Sequence, residues 1–128
     1  MLNEDHLYQF LIFVAMIKIY HNSQCRKSRG GLQYLKGKNL PFEIVEYMKK
    51  PFTEKQLETI LSKLNKKPSE IIRTQEEYFK KNLKGKEFND HEWIMIMIQN
   101  PKLIQRPIVE KDYKAVIGDP PENIDLLL

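Results

Sequence analysis

The chain has 128 residues, with 21 Lys plus Arg against 17 Asp plus Glu, a net charge of +4, 41% hydrophobic residues and 30% charged ones. That is long enough for one domain with its own core, and the composition excludes an intrinsically disordered chain. The charges are interspersed, with no long Lys/Arg cluster and no interleaved aromatic set, so no nucleic-acid partner is expected.

Residues 1–15 begin acidic, with Glu4 and Asp5 where a secretory signal would be basic, and end apolar. The apolar run from Phe10 to Ile17 is too short for a bilayer, which needs about 20 residues, and no membrane partner is expected. The segment either extends the first strand backwards or is a leader ahead of a natural start at Met16; the second is favoured. The domain is therefore expected over 16–128, with 1–15 as an extension.

Ile17 and Ile19 alternate with Lys18 and Tyr20, the period of a half-buried strand. A polar turn follows, and Leu32 and Leu35 then mark one face of a helix beginning near Ser28. Lys36-Gly37-Lys38-Asn39 stops it. Phe42 to Tyr47 reads as a second strand, ended by Lys49-Lys50-Pro51. Thr53 and Gln56 form a capping box, followed by Leu57, Ile60, Leu61 and Leu64 on one helical face. Ser69 is expected to cap a short helix just after Pro68, and Glu76–Leu83 continues with Tyr78, Phe79 and Leu83 as contacts. Asn89 and Glu92 form another cap. The apolar run from Trp93 to Ile98 would suit a buried strand or helix, and the cap decides for helix, with its methionines as core filler. Asn100-Pro101 ends it. Pro107 sits at the entry of a strand, a place where a cis bond is plausible. Ile108–Glu110, a Lys111-Asp112 turn and Tyr113–Ile117 predict a hairpin. Asp119 as N-cap, with Pro120 at the first helical position, predicts a final helix burying Ile124 and Leu127 or Leu128. The order is β-α-β, a helical insert, then β-β-α. It specifies a small mixed sheet with one parallel pair, one antiparallel pair and helices on both faces.

Cys25 is the only cysteine, which excludes an intramolecular disulfide and suits a reducing, cytoplasmic compartment. His6, His21 and His91 lack ligand spacing, so no metal is expected. Cys25 falls where a strand hands over to a helix N-terminus. Free backbone N–H groups and the positive helix end collect there, favouring a thiolate and an anion beside it. Arg26, Lys27 and Arg29 add charge within one turn. A lone cysteine is ordinarily a small buried hydrophobe; these polar, cationic neighbours make a reactive thiol the better reading.

Five ordered blocks go further: Ile19-Tyr20-His21-Asn22-x-x-Cys25-x-x-Ser28-Arg29; Glu46-Tyr47-x-x-x-Pro51; Pro68-Ser69-Glu70-Ile71-Ile72-Arg73; Asn100-Pro101-x-Leu103-Ile104-x-Arg106-Pro107-Ile108-Val109; and Gly118-x-Pro120-Pro121-Glu122. Together, over 16–128, they resemble the glutaredoxin-coupled arsenate reductases, which implies the α/β thioredoxin/glutaredoxin-like mixed sheet (βαβ…ββα) with an inserted helical layer. The resemblance implies that the Cys25 thiolate attacks arsenate. Glutathione, as co-substrate, and glutaredoxin, as partner, would then complete reduction to arsenite, with no bound cofactor. Arg73 and Arg106 match oxyanion-binding arginines, whose planar forks suit a tetrahedral anion. His21 and Ser28 match positions that support the thiolate. The chain departs from the pattern at Asp119, which stands where the family's third anion-binding arginine lies, and at Ser23, where the usual residue is proline. A carboxylate at position 119 would repel arsenate unless it faced away as the helix cap.

Competing readings are a thiol regulator of the Spx type and an orphan monothiol protein of the same fold acting on glutathione adducts. The Spx switch typically uses Cys-x-x-Cys, whereas this chain has Ser28 at the second position. A low-molecular-weight phosphatase needs Cys-x5-Arg and is excluded by Gly31.

Overall fold

A computed structural model describes residues 4–6 and 16–128. The two readings of the N-terminal segment lie outside the described residues, except at 4–6. Strand β1 (Ile17–Tyr20) leads into helix α1 (Arg26–Lys36), strand β2 (Phe42–Val45) and helices α2 (Glu54–Leu64) and α3 (Asp90–Gln99). Strands β3 (Ile108–Lys111) and β4 (Lys114–Ile117) follow, and a 3-10 helix spans Pro121–Leu127. The sheet order is β2-β1-β3-β4, with β1 and β2 parallel and the other pairs antiparallel. This is the expected thioredoxin-like mixed sheet, its βαβ unit closed by α1 and its hairpin by β3 and β4.

Each face of the sheet has its own core. Ile17, Ile19 and Val109 pack with Leu35 of α1 and with Ile124 and Leu127 of the terminal helix. On the other face Tyr20, Ile108 and Ala115 meet Leu57, Ile60, Leu61 and Leu64 of α2 and Trp93, Ile94 and Met97 of α3. Both faces of β1 are thus covered, rather than one. Burial of each large aliphatic contributes roughly 1.5–3 kcal/mol. Glu110, on β3, is buried because it is partnered: the Tyr20 hydroxyl donates to one oxygen at 2.6 Å and Lys63 Nζ to the other at 2.8 Å.

Both capping boxes are present. The Thr53 hydroxyl accepts from Gln56 N–H at 3.1 Å and the Asn89 side chain accepts from Glu92 N–H at 2.8 Å. Other local expectations shift. Helix α1 begins at Arg26, two residues before Ser28. Strand β2 ends at Val45, as a short edge strand on which Ile44 is exposed. The segment after Lys67 is a 3-10 turn, Pro68–Ile71, and Glu70 rather than Ser69 caps it by accepting from Lys67 N–H at 3.1 Å. Phe79–Leu83 winds as a π-helical turn, closed by Lys84 N–H to the Phe79 carbonyl, and Tyr78 is exposed. The hairpin turns at Asp112-Tyr113, with Asp112 at φ 56°. The last helix starts after Pro120, not Asp119, whose carboxylate instead meets Lys27 Nζ at 3.2 Å. The Arg106–Pro107 and Asp119–Pro120 peptide bonds are both cis.

Candidate active site

Cys25 is the N-cap residue of α1, part-buried, with an extended backbone at φ −100° and ψ 123°. An Asx turn leads into it: the Asn22 side chain accepts from Gln24 N–H at 3.1 Å, and Cys25 N–H donates to the Asn22 carbonyl at 3.0 Å. Burial pushes the Cys25 thiol up. The hydrogen bond and charge of Arg106 and the backbone N–H groups of Ser28 and Lys27 outweigh it, so the thiol ionises more readily than usual. Arg26, Lys27 and Arg29 are exposed. Lys27 faces Asp119, and Arg29 donates to the Ser23 carbonyl at 3.1 Å. The cation acting on the sulfur is thus the distant Arg106.

His21 and Ser28 are buried and joined through Nδ1 and Oγ at 2.7 Å, and the same Oγ accepts from Asn22 N–H at 2.9 Å. Burial lowers the His21 pKa, against Glu46 and the Ser28 contact, with Arg29 and Lys36 lowering it further. The neutral ring is favoured, and its Nδ1 shares a single hydrogen bond with the Ser28 hydroxyl. His21 therefore lends order to the loop rather than a positive charge. The Ser28 hydroxyl serves His21 and Asn22, while its backbone N–H faces the sulfur.

Arg73 and Arg106 meet although remote in the chain. An antiparallel bridge pairs Ile72 with Ile104, and Arg73 N–H donates to the Leu103 carbonyl at 2.7 Å. Arg106 Nη1 donates to the Lys102 carbonyl at 2.7 Å, which fixes the fork. Two residues missed from the sequence complete the cluster. Glu76 Oε1 lies 3.4 Å from Arg73 Nη1 and 4.0 Å from Arg106 Nη2. Tyr47 is buried and stacked on Phe52 at 5.5 Å between ring centroids. Burial first, and then the nearby Cys25, push its hydroxyl up to about 12 against the pull of Arg106 and Arg73, so it stays a hydrogen-bond donor. Among the described residues, the buried side-chain polar atoms without a hydrogen-bond partner are Tyr47 Oη, Arg73 Nη1 and Arg106 Nε. Arg73 Nη1 keeps its ion pair with Glu76, whereas Tyr47 Oη and Arg106 Nε are unmatched, and buried donors of that kind call for a ligand-shaped explanation. A cleft of about 330 Å³, lined by Asn22, Ser23, Gln24, Met48, Glu76, Lys102 and Arg106, opens at the Arg106 and Glu76 side of the cluster.

The described residues contain no cluster of three or more His, Cys, Asp or Glu able to hold a metal ion, and no helix long and apolar enough to cross a membrane. A single thiol at the first strand–helix junction of a thioredoxin-like sheet, beside the Arg106 guanidinium with Arg73 joined to it through Glu76, defines the class. The sequence model of the ArsC family matches residues 20–127. The chain is 38% identical over 110 residues to the uncharacterized protein YfgD of Escherichia coli, across 84% of this chain and 92% of that one. It is 35% identical over 108 residues to the arsenate reductase of Haemophilus influenzae, across 83% and 93%. Among solved structures, the arsenate reductase of Vibrio cholerae superposes with a TM-score of 0.84 at 30% identity, over 90% of this chain and 99% of that one. The chain belongs to the ArsC family.

Proposed function

We propose that this protein is an arsenate reductase-like thiol oxidoreductase of the cytoplasm, with residues 16–128 as the working domain and 1–15 as an extension. The observation that carries the reading is the convergence of Tyr47, Arg73 and Arg106, with Tyr47 Oη and Arg106 Nε buried and unmatched, near a thiol that ionises more readily than usual. Such donors suit a tetrahedral oxyanion and the charge that builds on it during attack. The Haemophilus and Vibrio relatives bear the name arsenate reductase.

In this mechanism the Cys25 thiolate attacks arsenic(V), a sulfur–arsenic bond forms, and an oxygen leaves as water. Arg73 and Arg106 hold the remaining oxygens, and the Tyr47 O–H donates to one of them. Reduction needs two electrons. The glutathione sulfur attacks the Cys25 sulfur, the sulfur–arsenic bond breaks, and its electron pair stays on arsenic, which leaves as arsenite. Cys25 is then joined to glutathione in a mixed disulfide. A glutaredoxin thiolate attacks the glutathione sulfur, takes up the glutathione and returns Cys25 as a thiol.

Asp119, in place of a third arginine, favours a second reading: an Spx-like regulatory or orphan monothiol protein of the same fold without arsenate turnover. The two separate cleanly by assay. Purified protein with arsenate, glutathione and glutaredoxin should release arsenite, and Cys25→Ser should reduce the yield to background. No arsenite beside a working arsenate reductase control would reject the enzyme and leave the second reading.

A further inference from the structure

The carboxylate of Glu76 stands among groups that otherwise suit an anion. It is 3.4 Å from Arg73 Nη1 and 4.0 Å from Arg106 Nη2, and it lines the cleft with Lys102, Asn22 and Gln24. Arg73 lies on its own loop; Arg106 and Lys102 come from the segment before β3; Tyr47 interacts with both guanidinium groups and Cys25 with that of Arg106. At the buried arginine pair, two guanidinium charges less one carboxylate leave one net positive charge before the thiolate is counted; Lys102, on the cleft wall, is exposed and its charge is screened by water. An acid form with a single negative charge matches that sum, and one of its O–H groups can donate to Glu76 in a short charge-assisted bond. A dianion would bring a second charge against the carboxylate at close range, in surroundings where Arg73 and Arg106 are largely withdrawn from water.

We infer that Glu76 is a specificity-determining residue that tunes the seat of Arg73 and Arg106 to the singly charged, protonated form of a tetrahedral oxyanion. The inference rests on the oxyanion reading of that site. A residue that merely held the two arginines in place would leave the charge preference untouched when replaced, and would weaken all anions alike.

The test is binding, measured by calorimetry in the Cys25→Ser protein, which removes the thiol's own ionisation from the profile. Arsenate is the first probe, because the second proton of such acids leaves near neutral pH, as that of a phosphate ester does at about 6. From pH 5.5 to 8 the parent should lose arsenate affinity by about tenfold. Adding Glu76→Gln, or Glu76→Ala should the first variant fold poorly, should flatten or reverse that loss, lowering affinity at pH 5.5, where the bond to the protonated form is lost, and raising it at pH 8, where the repulsion is lost. Sulfate, doubly charged throughout this range, should bind the Glu76 variants several-fold more tightly than the parent at both pH values. Parallel arsenate profiles with unchanged sulfate affinity would overturn the inference and leave the site standing. A uniform loss for both anions would reduce Glu76 to a support for the arginines. No binding of either anion by any variant would sink the oxyanion reading and the inference together.

Discussion

At the scale of single residues, the site is governed by which charges reach the sulfur, not by which lie near it in the chain. Three cations follow Cys25 within one turn, yet they face solvent, Asp119 and a backbone carbonyl. Cys25 was legible because its polar setting and place before a helix imply a thiolate. Tyr47 and Glu76 were not. Each reads locally as part of a strand or a helix start, and each gains its role from loops distant in the chain. The Arg73-x-x-Glu76 spacing was the available signal for the second. His21 supports a prediction with a definite sign. Its folded pKa lies below the ordinary value of 6.5, so the unfolded chain takes up the proton first. The stability it contributes is complete above 6.5 and is lost as pH falls from there through the folded value. Urea unfolding at pH 7.5 and 5.0 should show a smaller acid loss for His21→Asn than for the parent. Equal losses would remove burial of the neutral ring from the account.

At the scale of elements, the docking of α1 on the segment before β3 decides whether Arg106 reaches Cys25. Gly31 makes the close approach possible. A Cβ there would lie 2.6 Å from Pro107 Cγ and 3.2 Å from the Gly118 carbonyl, whereas one at Gly30 would meet nothing within 4 Å. The proline ring cannot swing aside, so Gly31→Ala should destabilise the fold by ~1–3 kcal/mol and move Arg106 away from the sulfur. Gly30→Ala should be neutral or stabilise by about 0.5–1 kcal/mol, through helix propensity alone. Urea midpoints of the two variants measure the difference, and equal midpoints would contradict the packing argument. Capping boxes and apolar periodicity located α2 and α3 because both signals are local. The misplaced elements were those decided elsewhere. The carboxylate of Asp119 is taken by Lys27, and the last helix winds as a tight 3-10 coil over a core formed by α1 and β3.

At the scale of the whole molecule, the order β-α-β…β-β-α was enough to specify the sheet, because a parallel pair needs a crossover and a hairpin does not. Periodicity could not show that Arg73 and Arg106 meet. The bridge between Ile72 and Ile104 joins segments that no local pattern connects, and only the resemblance of whole blocks pointed to it. The central claim is that this long-range closure makes the Cys25 thiol ionise more readily than an ordinary one. The rate of Cys25 alkylation as a function of pH tests it most directly. The account expects a midpoint below the ordinary thiol value of 9.0, rising by about one to two pH units in Arg106→Ala as the neighbouring guanidinium charge is lost. A midpoint at or above that value, unmoved by the substitution, would contradict it.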